Sequence, residues 1–386
     1  MTTTKSSRPA RPTKDYPLFP HASGQWSKKI RGKLYYFGVW SEPDAARRRY
    51  ERQRVDLEAG RKPRPLDVRQ DGVTVAEMCN HFLSAKRRQA DAGELTERSW
   101  IDYHRTCKRL TRVFGRERLV SDLRPDDFAD LRDDMGKTLG PTATASEVNR
   151  TRVVCKYACD ADLIDRPLKF GPNFKRPSAK TLRLQRAKVG KKLFTAAQLH
   201  TLLEAASKPL RAMILLGVNC GYGNADCGQL RHRHVEIDGG WVEFPRPKTG
   251  IHRRAKLWPE TESALKDAWD VRPSLRDKAA HDDLWFVTKR GQAWHKDDIA
   301  DSPVTKEFRK LTDGTGIYRR GLTFYALRHT FETVGGEAKD QVAVNAIMGH
   351  VDTSMAGVYR EHISDDRLEA VADHVRQWLY EGRDNA

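Results

Sequence analysis

The sequence predicts a mainly α-helical, multidomain chain carrying small β-sheets. Three observations lead there. An alternating run near the start, Gly24 to Trp40, reads as short strands. Residues 73–165 hold four successive sets of helix start and stop signals with no strand pattern between them. From Phe194 onward, helical periodicity is interrupted by two strand-like runs. At 386 residues the chain is long enough for two or three domains and at least one sizeable core.

Each element has a local cause. GQWSKKIRGKLYYFGVW alternates in hydropathy, and Arg31-Gly32-Lys33 makes its tight turn. Ser41-Glu42-Pro43-Asp44 resembles a capping box with Pro in the first turn, opening a helix that Gly60 closes. Ahead of Gly24 the chain is polar and Pro-containing, which reads as a disordered start, so residues 1–65 form a first module. In the helical block, Thr74 caps a helix with Glu77 at the box position. Thr96 caps the next, which ends at Gly115. Pro125 opens a third that stops at Gly136, and a fourth spans about Ala143 to Asp160. Residues 166–192 have Pro and Gly early and no period, the pattern of a linker. In 193–386, helices near 196–206 and 209–220 precede WVEFPRP and HRRAKLW, strands joined through Lys248-Thr249-Gly250. Helices follow from about Ser302. The last, Ser364 to Leu379, lines up Leu368, Val371, Val375, Trp378 and Leu379, a face for its own domain or for a neighbouring copy.

Composition narrows the function. Mean hydropathy is −0.72, no apolar run is long enough to span a bilayer, and the N-terminus lacks the apolar stretch of a signal peptide. A soluble, cytoplasmic, nucleoid-associated protein without a membrane partner is expected. The six cysteines show no metal-ligand spacing, so reduced core thiols, no metal and no cofactor are expected. Net charge is +18 and concentrated. Residues 1–70 carry 17 Lys/Arg against 7 Asp/Glu, and residues 166–192 carry 10 basic residues and no acid. Two basic segments on a near-neutral remainder fit separate contacts to a polyanion, where each neutralised phosphate releases counterions. Lys28, Lys29, Arg31 and Lys33 on the small sheet, and Lys175, Arg176, Arg183 and Arg186 in the linker, are the expected DNA contacts. Arg254 beside the second hairpin joins them.

Four patterns lie in order in the last third: NCGYGNADCGQL (219–230), PRPKTGIHRRAKL (245–257), FYALRHTF (324–331) and IMGHVDTSMAGVYREH (347–362). Together they resemble the catalytic domain of the tyrosine recombinases, the phage-integrase family. There a HDLRHTF-like helix, a Gly-His pair and a tyrosine nine residues after that histidine recur; here these are Arg328, Gly349-His350 and Tyr359. The resemblance implies three modules: an arm-type DNA-binding domain, a helical core-binding domain at 73–165 and a catalytic domain at 193–386. It further implies double-stranded DNA as partner and four protomers on two duplexes, with a monomer when free and room for an accessory DNA-bending protein.

The implied chemistry explains the residue types. A tyrosine oxygen attacks a phosphodiester to give a 3′-phosphotyrosine and a free 5′-hydroxyl, without metal or ATP. Charge grows on the non-bridging oxygens, and a bidentate guanidinium suits it. By resemblance, Tyr359 is the nucleophile, Arg328 a phosphate ligand, His350 a donor or proton shuttle, and Lys248 the acid for the leaving oxygen. The sequence also departs from the pattern. Gly223 stands where the first box has an arginine, with Asp226 at its acid position, and Tyr325 replaces the histidine of HDLRHTF. Tyr325 can still donate one hydrogen bond. Replacement cations are offered by Arg231, Arg233, Arg253 and Arg254, and backbone N–H groups by the Gly223-Asn224 helix start. A slow enzyme and a non-cleaving DNA-binding factor both remain open, and an RNA-binding basic protein is the reading from another class.

Overall fold

The computed structural model describes residues 8–61, 72–296, 302–352 and 354–381. The first residues of the expected disordered start, 1–7, lie outside them, as do positions 62–71. The chain divides into two compact units, Met1–Lys86 with Tyr103–Arg176, and Arg87–Asp102 with Pro177–Ala386.

The first unit opens with a three-stranded antiparallel sheet, β1 (Phe19–His21), β2 (Gln25–Ile30) and β3 (Lys33–Val39). The β2–β3 turn is Arg31-Gly32, both at positive φ (+48° and +80°), the backbone a two-residue hairpin demands. Helix α1 (Pro43–Glu58) packs Ala46, Tyr50 and Leu57 onto Trp26, Ile30 and Phe37. Gly38 lies so close to Ala46 that an added Cβ would stand 3.3 Å from its Cβ. Tyr16 and Leu18, from the segment expected to be disordered, are buried in this core. The expected capping box at Ser41 does not form. Pro43 fixes the first helical residue, which makes Glu42 the N-cap, and no side-chain bond closes it.

Four helices follow: α2 (Val75–Asp91), α3 (Glu97–Phe114), α4 (Pro125–Thr138) and α5 (Pro141–Asp160). The Thr74 box closes as expected, Glu77 Oε2 accepting from Thr74 N at 2.8 Å and Thr74 Oγ1 from Glu77 N at 3.2 Å. Thr96 Oγ1 likewise accepts from Ser99 N. Helix α4 passes Gly136 by two residues. Phe82, Leu110, Phe128, Leu131 and Val148 form the core. The segment read as a linker is half structure: Phe170 meets Phe128 edge to face and Phe174 meets it tilted, at 4.8 and 5.4 Å between ring centroids.

From Pro177 the second unit continues with α6 (Ala179–Val189), capped by Ser178 and burying no residue, which is why its sequence lacks a period. Then come α7 (Ala196–Ala205), α8 (Lys208–Asn219) and α9 (Asn224–Gln229). A small antiparallel sheet follows, β4 (Val235–Glu236), β5 (Trp241–Glu243) and β6 (Arg254–Lys256). The remaining helices are α10 (Pro259–Asp270), α11 (Lys278–His281), α12 (Pro303–Gly314), α13 (Tyr325–Gly336), α14 (Gln341–Met348), α15 (Met355–Tyr359) and α16 (Asp365–Tyr380). Strands β5 and β6 pair across the Lys248 turn as expected. Helix α16 docks on its own domain. Leu368, Val371, Ala372, Val375 and Leu379 are buried in the common core, and Trp258 Nε1 donates to Ala372 O at 2.9 Å. Among the described residues no helix is long and apolar enough to cross a membrane. All six cysteines are free.

Candidate active site

The site forms where the end of α8, the β5–β6 turn and the end of α14 meet α13. Glycine makes the approach possible. An added Cβ at Gly217 would sit 2.8 Å from Leu327 Cδ1, and one at Gly221 2.9 Å from Phe331 Cδ1, so α13 lies at backbone contact with this stretch. Arg328, only 2% exposed, therefore reaches two carbonyls. Its Nη1 donates to Gly221 O and its Nη2 to Met348 O, each at 2.6 Å. The pairing with Glu332 that helical spacing allows does not occur.

Met348 O belongs to the last turn of α14. That helix ends in a Schellman arrangement, Gly349 N to Ala346 O and His350 N to Asn345 O, with Gly349 in the left-handed region at φ +61°. A Cβ there would meet Arg253 Cδ at 2.7 Å. The next carbonyl, Gly349 O, accepts from Arg246 Nη1 at 3.1 Å. Two guanidiniums thus hold consecutive carbonyls at the negative end of one helix. Arg253 lies behind them, 1% exposed. It donates through Nη2 to Asp226 Oδ1 at 3.0 Å and through Nε to Phe244 O at 2.9 Å, with its guanidinium 4.5 Å from the Tyr222 ring centroid. Asp226 Oδ2 accepts from Gly223 N at 2.7 Å, which ties this arginine to the start of α9. Arg253 Nη1 and the Tyr222 hydroxyl are buried without partners.

This arrangement is electrostatically unbalanced. Burial and then Arg246 pull the Arg328 pKa down; Tyr325 and Asp226 oppose them, and Arg253 adds the smallest downward push. His350 is pulled down by burial and by Arg328 and Arg246, against Glu332, so the imidazole is neutral at neutral pH. His350 Nδ1 faces Asn345 Oδ1 at 3.4 Å and Glu332 Oε2 at 3.8 Å. Gln341 Nε2 donates to Glu332 Oε1 and also contacts Asn345 Oδ1. Two acceptors opposite Nδ1 favour the proton there and leave the lone pair on Nε2. Burial, Lys192 and Arg328 lower His329 as well.

The two departures from the family pattern touch. Tyr325, 44% exposed at the start of α13, lays its ring beside Gly223, where an added Cβ would stand 3.4 Å from Tyr325 Cδ2. The ring also meets His329 edge to face at 5.5 Å between centroids. Of the replacement cations the sequence offered, Arg231 and Arg233 face Asp283 and Arg253 is held by Asp226. Arg254, expected on DNA, pairs with Glu243 and Asp365 over the Trp241 ring, so its charge is already balanced.

Tyr359 ends α15 and is 76% exposed. Ser354 caps that helix, and Arg360 Nη1 bonds Asp352 Oδ2 at 3.0 Å, fixing the backbone on both sides of the tyrosine. Gly357 and Arg360 line, with His350, an open cleft of about 680 Å³. Among the described residues no hydrogen bond joins the phenol to Arg328, Arg246 or His350. Lys248 sits exposed on the turn that Gly250 N closes onto Arg246 O at 2.8 Å. The structure thus gathers Arg328, His350 and Tyr325, and leaves Tyr359 and Lys248 exposed on separate segments of the same unit. Sequence reasoning missed Arg246, although it stands in the quoted PRPKTG two residues before Lys248, and it missed the Glu332–Gln341–Asn345 support of His350.

The other expected DNA contacts are mostly exposed. Lys29, Lys33, Lys175, Arg176, Arg183 and Arg186 face solvent, Lys28 lies over the Tyr50 ring at 4.6 Å, and Arg31 donates to Glu58 O at the end of α1. Among the described residues no group of His, Cys, Asp and Glu has the arrangement of a metal site.

Residues 192–365 match the model of the phage integrase family, the family that the sequence motifs resemble. The fold is shared with solved integrases. A lambda integrase dimer bound to a COC′ core site aligns with TM-score 0.57 and 16% identity, over 90% of this chain and 96% of that one. A lambda integrase tetramer bound to a Holliday junction gives 0.57 and 15%, over 92% and 98%. The Tn1549 transposon integrase with circular intermediate DNA gives 0.57 and 15%, over 78% and 99%. No curated protein matches the chain in sequence.

Proposed function

We propose that the chain is a site-specific DNA recombinase that cuts and rejoins strands through a 3′-phosphotyrosine. The observation that carries this is Arg328: a buried guanidinium held by carbonyls, crowded by two further arginines and lacking a carboxylate of its own. Such a cluster is complementary to an anion, and a phosphodiester with charge developing on its non-bridging oxygens fits it. Tyr359 Oη attacks phosphorus and the P–O5′ bond breaks. Lys248 gives a proton to the departing 5′-oxygen, and His350 Nε2 takes the phenolic proton. Rejoining is the reverse step with a 5′-hydroxyl from another strand. The phosphotyrosine conserves the bond, so the exchange as written consumes no ATP and calls for no cofactor. Tyr325 supplies a further donor. Binding to duplex DNA by the exposed basic residues, assembly of four protomers on two duplexes, and a cytoplasmic, nucleoid-associated setting belong to the same proposal. The DNA-bound dimer and tetramer of lambda integrase support it.

The test is covalent capture. The protein is incubated with a library of nicked, randomised duplexes, denatured, and the protein-linked strands recovered and sequenced. A protease-sensitive adduct that enriches one sequence and disappears in Tyr359→Phe is the expected result. Salt-sensitive binding with no adduct, unchanged by that substitution, sinks the enzyme and leaves a DNA-binding factor.

A further inference from the structure

We infer that Arg246 grips the scissile phosphate beside Arg328, restoring the second cation that Gly223 does not supply. This rests on the recombinase reading and adds a residue to its site. Three observations lead to it. First, Arg246 is half-buried and is anchored at 3.1 Å to Gly349 O, the carbonyl next to the one Arg328 holds, so the two guanidiniums meet at one helix end. Second, its guanidinium bonds a carbonyl. The alternatives are all held by carboxylates: Arg231 and Arg233 by Asp283, Arg253 by Asp226, Arg254 by Glu243 and Asp365. A carbonyl orients a guanidinium without cancelling its charge. Third, Arg246 opens the turn that carries Lys248, so the cation on the phosphate and the acid for the leaving oxygen lie on one short loop. Tyr325, lying against Gly223, fills the space from which the usual arginine would extend.

The substitutions are Arg246→Gln and Arg246→Lys, read on the duplex that the wild-type protein captures. Adduct formation should fall on the order of a hundred to a thousandfold in Arg246→Gln, the typical loss of one preorganised donor, and recover partly in Arg246→Lys. The decisive readout is a duplex whose scissile phosphate carries a methyl in place of one non-bridging oxygen. With that charge removed, the deficit of Arg246→Gln should shrink at least tenfold, an outcome that a purely structural defect in the α14 cap would not produce. An equal deficit on both duplexes, or a wild-type rate in Arg246→Gln, overturns the assignment. Binding supplies a reading independent of cleavage. By fluorescence anisotropy across a salt series, Arg246→Gln should lower the slope of log K against log salt by about one. If the wild-type protein forms no adduct, the recombinase reading falls, and the salt slope alone decides whether Arg246 touches phosphate; an unchanged slope overturns it.

Discussion

The helical block of the first unit and the cluster around Gly349 in the second balance arginine differently. In the block, four arginines meet carboxylates, while Arg132 and Arg152 bond the carbonyls of Lys175 and Phe174. Arg109 and Arg112 share Asp134, Arg118 takes Asp127, and Arg150 takes Glu147, which is itself buried and bonded by Thr106. Around Gly349, Arg328 and Arg246 meet carbonyls, while Asp226 is engaged by Arg253 and Glu332 faces His350. A carboxylate partner cancels charge and locks structure. A carbonyl partner fixes direction and leaves the positive potential in place. The carboxylate-paired arginines of the block are therefore structural, whereas the cluster keeps its positive potential.

The largest expected effect tests the cluster. Arg328→Lys replaces a planar fork with a single ammonium, which cannot span Gly221 O and Met348 O and also face a phosphate. Adduct formation should drop by about a thousandfold, while a thermal melt followed by circular dichroism shows the fold retained. A rate near wild type would show that the guanidinium serves packing alone. In the block the expectation reverses. Glu147→Gln strips the buried anion from Arg150 and Arg109 and should cost about 3 kcal/mol in urea unfolding. At temperatures where the variant is folded, its adduct yield should match wild type. A loss of chemistry without loss of stability would break the contrast.

How much of this was readable beforehand depends on the range of the interactions. The Thr74–Glu77 box, the pairing of β5 with β6 and the Gly349-His350 helix end are set within a few residues, and the sequence displays them. The exposed helix α6 escaped detection because a helix that buries no face has no hydrophobic period. The box at Ser41 misled because Pro43 moved the N-cap one residue on. For the site, four boxes in order named Arg328, His350 and Tyr359. Arg246 stayed hidden because its role depends on a contact 103 residues away, with Gly349 O. The destination of Arg254 was hidden for the same reason, Asp365 being 111 residues on. Charge type is visible in a sequence; the partner that cancels or preserves it is tertiary.

The smallest effect concerns pH and separates the two regions once more. His350 is held below its ordinary pKa by burial and by Arg328 and Arg246. The folded chain therefore refuses a proton that the unfolded chain accepts below about pH 6.5, so stability falls as pH drops through that value toward the folded pKa. His329 shifts the same way and adds to the loss. In the block, Asp134 is lowered too, but towards its charged form: burial opposes the shift, and the hydrogen bonds from Arg112 and Arg109 outweigh it. Its contribution is present above about pH 4 and is lost only below it. Melting temperatures between pH 7.5 and 5 should accordingly decline less in His350→Gln than in wild type, by about 1–2 °C for a chain of this size. An Asp134→Asn variant should keep the full decline over that window. An anion bound between Arg246 and Arg328 offsets the charges that depress His350, so inorganic sulfate should flatten the wild-type decline more than that of His350→Gln, in which only His329 beside Arg328 still responds. If sulfate flattens both slopes equally, the arginines are not what holds the imidazole neutral.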